Sequence, residues 1–228
     1  MSFDRLAPHY RWMEWALAGQ KLQRTRVTWL EAVRDCRKVL LIGEGPGRFL
    51  EACLRALPQA EITCLDASAA MLQRARQTCE FHGAQRIPVK FIHAALPDWT
   101  PPPQHYDLIV THFFLDCFPP AQLTQVIAKI SAAAAPGARW LIAEFHEPRS
   151  GWQRWRARLI LTLAYAFFRI TTRLPARQLP GFEHALTDHG FRLEQRRLTE
   201  WGLLTSDLWR AGFANPDCRV EKISLPVT

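Results

Sequence analysis

The apolar positions of this chain form short solid runs separated by stretches of helical periodicity. That is the pattern of strands buried on both faces alternating with amphipathic helices. Val39-Leu40-Leu41-Ile42 is the first such run, and it ends abruptly in Gly43-Glu44-Gly45-Pro46-Gly47. Leu50, Ala52, Cys53 and Leu54 then resume at helical spacing, so a buried strand passes through a tight turn into a helix. Such a turn offers backbone N–H groups and the positive end of a helix dipole to a negatively charged ligand. Ile62, Cys64 and Leu65 form a second strand ending at Asp66, and Ala67-Ser68 open a helix carrying Met71, Leu72, Ala75 and Cys79. Residues 89–92 and 107–110 read as strands three and four. Leu123, Val126, Ile127 and Ile130 lie at i, i+3, i+4 and i+7 of a helix. A turn at Pro136-Gly137 and a fifth strand over 140–143 follow, then a strand from Phe191 towards Thr199 and a last one between Trp201 and Trp209.

This alternation predicts an α/β fold with a parallel sheet. The glycine register narrows it. A dinucleotide fingerprint, G-x-G-x-x-G, needs its last glycine where this chain has Arg48; the third glycine comes one residue earlier, at Gly47. Asp66 follows 19 residues after Gly47, at the end of the second strand, where a carboxylate can accept hydrogen bonds from both hydroxyls of a ribose.

The G-x-G-x-G turn, the acid after strand two, the Tyr106-Asp107-Leu108 start of strand four and Pro136-Gly137 before strand five resemble the motifs of class I S-adenosylmethionine (SAM)-dependent methyltransferases. The run from Phe3-Asp4 to Tyr10 looks like the start of the quinone- and lipid-type members of the small-molecule branch. The resemblance implies a Rossmann-like, doubly wound, seven-stranded sheet, mostly parallel, with one antiparallel strand in its edge region. It implies a single domain over 1–228: an N-terminal helical cap (1–36), a SAM-binding core (37–148), a basic and apolar helical lid (149–180), the last helix and final strands (181–213), and a tail (214–228). SAM is the implied cofactor and S-adenosylhomocysteine its product. Gly43, Glu44, Gly45 and Gly47 would form the cofactor turn, Asp66 would meet the ribose, and Ala67 and Met71 would pack on adenine. The family often places an Asp after strand three, but this chain has His93-Ala94-Ala95, with Asp98 four positions late. Adenine recognition would then rest on backbone groups at Ala94 and Ala95, and Thr111 completes the expected cofactor set.

Methyl transfer is an in-line displacement that asks the protein to place the acceptor, exclude water and, for an acidic acceptor, remove a proton. Bases are expected at the carboxyl ends of strands four and five, where ligands bind in open α/β sheets. His146 is the first candidate and His112 the second, with Asp116 able to orient a histidine. Phe113, Phe114 and Phe145 could wall a flat or apolar acceptor, and His9 and Tyr10 could face it from an N-terminal helix. For each histidine a plain polar contact is an equal alternative.

Charge and cysteine usage refine the picture. The net charge is +8, concentrated in residues 149–197, where ten Lys and Arg stand against three Asp and Glu. Within that region Arg154, Arg156 and Arg158 precede ten apolar-leaning residues, 159–168, too few to cross a bilayer, which needs ~20. A core helix, a lid over an apolar substrate, or a peripheral membrane contact through 152–173 all fit, and the lid is the preferred functional reading. Six scattered cysteines without a C-x-x-C pair suggest buried reduced thiols, a cytoplasmic location and no metal site. No apolar h-region precedes the first motif, so no secretion signal is expected.

A pI near 9.6 raises the question of nucleic acid. However, Thr111-His112-Phe113-Phe114 stands where base-amino methyltransferases carry an acidic, Asn or Ser residue followed by Pro-Pro and an aromatic. The expected function is methyl transfer to the oxygen or carbon of a small aromatic or lipid-like acceptor. RNA or protein methylation, a non-catalytic binding module and, last, a nicotinamide oxidoreductase are the alternatives.

Overall fold

A computed structural model describes residues 20–81, 87–96, 98–148, 150–172 and 181–212, with side chains described at all of these except 81 and 163–172. The expected N-terminal cap therefore enters only from Gln20, and His9, Tyr10, the end of the lid and the tail lie outside the described residues.

Among the described residues seven strands form one sheet: β1 (Lys38–Ile42), β2 (Glu61–Asp66), β3 (Val89–His93), β4 (Tyr106–His112), β5 (Ala134–Phe145), β6 (Phe191–Thr199) and β7 (Leu204–Ala211). Their order is β3-β2-β1-β4-β5-β7-β6. The pairs among β1 to β5 are parallel, and β7 runs antiparallel to both β5 and β6. This is the doubly wound sheet with one reversed strand near an edge that the family resemblance implied.

The solid apolar runs follow from burial on both faces. Side chains alternate across a strand, so Leu40 and Ile42 enter one layer while Val39 and Leu41 enter the other. The first layer is closed by α4 (Pro120–Ala133), through Leu123, Val126, Ile127 and Ile130, and by Leu186 of α6 (Glu183–Asp188). The second is closed by α2 (Arg48–Ala56), through Phe49, Leu50, Cys53 and Leu54, and by Ala75 and Cys79 of α3 (Ala69–Phe81). A short helix, α1 (Lys21–Arg26), precedes the sheet, and α5 (Gly151–Thr172) follows β5. The five described cysteines are free and four of them are buried.

Two expectations need correction. Pro136-Gly137 is no turn between helix and strand: α4 ends at Ala133 and β5 starts at Ala134. Tyr106 faces Ala134 while Leu108 faces Arg139, so the extra residues form a bulge, with Gly137 at φ +74°. Likewise Trp201 does not begin the last strand. Glu200, Trp201 and Gly202 are all left-handed (φ +54°, +56° and +84°), and pairing resumes at Leu204.

Candidate active site

At β1 the chain reverses its winding: β2 and β3 lie to one side, β4 onward to the other. In open α/β sheets that switch point leaves a crevice beyond the carboxyl ends of the strands. Gly43 extends the ladder by one bond, its N–H donating to the Leu65 carbonyl at 2.8 Å. The turn then runs through left-handed backbone at Gly43, Gly45 and Gly47 (φ +68°, +65° and +90°), which only glycine adopts without strain.

Asp66 ties this turn to the start of α3. Its Oδ2 accepts the Gly45 N–H at 3.0 Å and its Oδ1 the Ser68 N–H at 2.8 Å. Ser68 in turn caps α3, its Oγ accepting the Met71 N–H at 3.2 Å. Asp66 is thus held at the lip of a cavity of about 230 Å³, whose walls include Gly43, Gly45, Ala67, Met71, Ala94 and Ala95. Phe113, Phe114, Cys117 and Phe118 close the same cavity from the β4 side. Seven of the ten residues expected to hold a cofactor meet there.

The other three do not. Gly47 packs helices: a Cβ there would lie 2.9 Å from Cα of Ala75. Thr111 is fully buried and accepts the indole N–H of Trp140 at 2.9 Å. Glu44 turns back, its Oε1 accepting the N–H groups of Phe49 at 2.7 Å and Leu50 at 2.9 Å. The helix N-terminus, expected to receive a ligand's negative charge, is capped by the chain's own carboxyl group. Burial pushes the Glu44 carboxyl up to about 7 despite those two bonds and the nearby Arg26 guanidinium.

Glu44 also lines a smaller cavity of about 40 Å³, shared with Gly43, Gly45, Arg26, His112 and Phe113. His112 is buried, its ring edge-on to Phe49 at 4.5 Å, and neither ring nitrogen has a protein partner. Burial, reinforced by Arg26, holds its pKa well below the usual imidazole value, so His112 is neutral and weakly basic. Asp116 does not orient it. Asp116 lies in the turn Leu115–Cys117, accepts the Cys117 thiol at 3.6 Å and sits close to Glu144.

Glu144, at the end of β5, is fully enclosed, and its Oε1 accepts the N–H groups of Phe114 at 3.0 Å and Leu115 at 2.9 Å. Burial first, then the Asp116 charge, drives its carboxyl well above the usual range. It therefore fixes the segment carrying Phe113 and Phe114, with Phe113 itself held at φ +54°.

His146 lies just beyond β5. Its N–H donates to the Leu203 carbonyl at 2.8 Å, and its Nδ1 lies 2.8 Å from the Gly202 carbonyl. A carbonyl only accepts, so Nδ1 carries the proton and the neutral ring keeps its lone pair on Nε2. Neither His146 nor Phe145 lines either cavity; Phe145 packs against Phe113, ring centres 5.2 Å apart.

Arg26 and Glu144 were not singled out from the sequence. Arg26 reaches the site from α1, with its guanidinium 5.2 Å from the Phe113 ring centre, and nothing distinguishes it locally from Arg24. Glu144 carried a readable signal: a carboxylate closing the apolar run Trp140-Leu141-Ile142-Ala143.

The site fits an adenosine-type cofactor on its own terms. The Cβ position of Gly45 has no atom within 4 Å, so backbone is open to the cavity, beside a half-buried carboxylate and a wall of small and apolar side chains. No group of three or more His, Cys, Asp or Glu able to hold a metal occurs among the described residues.

A doubly wound sheet with β7 reversed, a G-x-G-x-G turn and an acid after β2 defines the class I SAM-dependent methyltransferase architecture. Residues 39–137 match the methyltransferase-domain family. A trans-aconitate 2-methyltransferase of Rhodopseudomonas palustris is 41% identical over 68 residues, 30% of this chain and 24% of that protein. A demethylmenaquinone methyltransferase of Deinococcus radiodurans is 29% identical over 151 residues, 65% of this chain and 61% of that one. The chain thus spans less than two thirds of each of these relatives. Among solved structures, magnesium protoporphyrin IX methyltransferase from Synechocystis PCC 6803 superposes with a TM-score of 0.69 at 17% identity, covering 92% of this chain and 96% of its own.

Proposed function

We propose that the chain transfers a methyl group from SAM to a small aromatic or lipid-like acceptor, on oxygen or carbon. The observation that carries this reading is Asp66, clamped between Gly45 and Ser68 at the lip of the larger cavity. Each carboxylate oxygen has a lone pair beyond the N–H it accepts, enough to meet a ribose diol. Ala67, Met71, Ala94 and Ala95 would flank the base, and Arg26, in the smaller cavity, would face a terminal carboxylate. When bound, SAM supplies a methyl group already activated on a sulfonium.

The protein's own task is to position and desolvate the acceptor. Phe113, Phe114 and Phe118 offer apolar walls suited to a flat ring or a chain. His146 is the base in this reading, because the Gly202 carbonyl holds the ring proton on Nδ1 and leaves the Nε2 lone pair unshared, whereas burial holds His112 well below the usual imidazole value. The test is a turnover assay with phenols, quinols and unsaturated lipids as acceptors, following S-adenosylhomocysteine release. Turnover with one of these and none with RNA or protein supports the reading; turnover confined to a macromolecule overturns it.

A further inference from the structure

Over its described side chains, residues 151–162, helix α5 buries only one side. Ala157 and Leu161 pack with Leu203 and lean on Phe145 and Ile160. On the opposite side Trp152, Trp155 and Leu159, spaced i, i+3 and i+7, form a single stripe and are 59%, 75% and 64% exposed. Trp201, 60% exposed, extends the stripe, its ring centre 6.2 Å from that of Trp152. Four large apolar side chains on one face exceed the scatter that a solvated surface carries. Trp201 is moreover held outward by left-handed backbone at Glu200 and Trp201, a conformation that is costly for residues with a side chain.

Cations border this stripe. Arg156 stacks on Trp201 with its guanidinium 4.7 Å from the ring centre, and Lys21, ion-paired with Glu200, lies 6.0 Å from the same ring centre. Arg154 and Arg158 both bond one carboxylate oxygen of Glu147, at 2.8 Å each. The helix stands in the region where ten Lys and Arg face three Asp and Glu. No described helix is long and apolar enough to cross a membrane. A tryptophan and leucine stripe edged by arginines is instead the composition of a helix lying in a bilayer interface, rings at headgroup depth and guanidinium groups on phosphates.

We propose that the outer face of α5, with Trp201, docks the protein on the surface of an anionic phospholipid bilayer. Charge selects this occupant: a second copy of the chain would set one arginine-edged face against another, whereas anionic headgroups complement it. The buried face of the same helix packs on Phe145, which contacts Phe113 in the cavity wall. Docking would thus place the acceptor site near a supply of apolar molecules, although the docking itself does not depend on the methyl-transfer reading.

The experiment is co-sedimentation of the full chain with vesicles of equimolar phosphatidylglycerol and phosphatidylcholine, beside pure phosphatidylcholine, at low and high salt. The combined variant Trp152→Ser, Trp155→Ser, Leu159→Ser is run alongside, with its circular dichroism spectrum as the test of folding. We expect binding to the anionic vesicles, release at high salt, and a loss of roughly tenfold or more in the folded variant. Quenching of tryptophan fluorescence in the unaltered protein by brominated phospholipid is expected as well, and it decides the matter if the variant does not fold. Absence of binding, absence of quenching, or unchanged binding in the folded variant overturns the proposal. So does light scattering that finds a dimer, broken by the variant, that ignores vesicles.

Discussion

The carboxylate of Asp66 accepts the backbone N–H of Gly45 at 3.0 Å, joining the end of β2 to the centre of the glycine turn 21 residues earlier. That bond sets the turn against the cavity, and the second oxygen, bonded to Ser68, sets the start of α3. The proposed cofactor site and the local fold thus share one side chain. Replacing Asp66 by Ala removes a charge-assisted acceptor, worth about 1.5–3 kcal/mol, from both. Titration calorimetry with S-adenosylhomocysteine should show binding weakened roughly tenfold or more. Parental affinity in a folded Asp66→Ala variant would place the cofactor elsewhere.

Gly43 and Gly45 separate packing from access. A Cβ on Gly43 would lie 2.4 Å from Cδ2 of Phe114, while one on Gly45 would meet nothing within 4 Å. Both pay for left-handed backbone, about 1 kcal/mol. Gly43→Ala should therefore lose about 2 kcal/mol or more in denaturant unfolding, with Phe114 displaced. Gly45→Ala should lose only about 1 kcal/mol yet bind S-adenosylhomocysteine roughly tenfold less tightly, because its methyl projects towards the ligand. Equal destabilisation by the two would contradict this division.

The Glu44 carboxyl, raised from about 4.5 to about 7, makes stability depend on pH. Between those values the folded state binds more protons than the unfolded, so this group's contribution is intact below about 4.5 and is lost as pH rises through about 7. Glu44→Gln keeps an oxygen for the Phe49 and Leu50 N–H groups but does not ionise. Unfolding free energies measured from pH 5 to pH 8 should show the variant gaining on the parent as pH rises, by on the order of 1–3 kcal/mol. A pH-independent difference would mean that Glu44 ionises normally.

His146→Ala should leave S-adenosylhomocysteine affinity unchanged and lower turnover by about 10²- to 10⁴-fold, the span of general base catalysis. Single-turnover kinetics would separate this from slowed product release. Undiminished turnover would remove His146 as the base.

How far these features could be read from residues alone depended on the range of the interaction behind them. The solid apolar run 39–42, the glycines after it and Asp66 were legible because each is set by its own neighbours: burial on both faces, left-handed backbone, a strand end. Glu44 was misread because local pattern marks an open helix N-terminus and is silent on a side chain folding back to cap it. Pro136-Gly137 was misread because turn chemistry and bulge chemistry look alike until pairing with β4 stretches the strand across them. Arg26 was invisible because it enters the site from a helix that precedes the sheet, by a contact no local spacing encodes.

The measurement closest to the central claim is a thermal shift of the purified full chain with S-adenosylhomocysteine, beside NAD. A ligand at 100 times its dissociation constant adds ~2.7 kcal/mol to the folded state, a visible rise in Tm. The account predicts a rise with S-adenosylhomocysteine alone, abolished in Asp66→Ala. A rise with NAD alone, or no response from a folded protein to either, would contradict it.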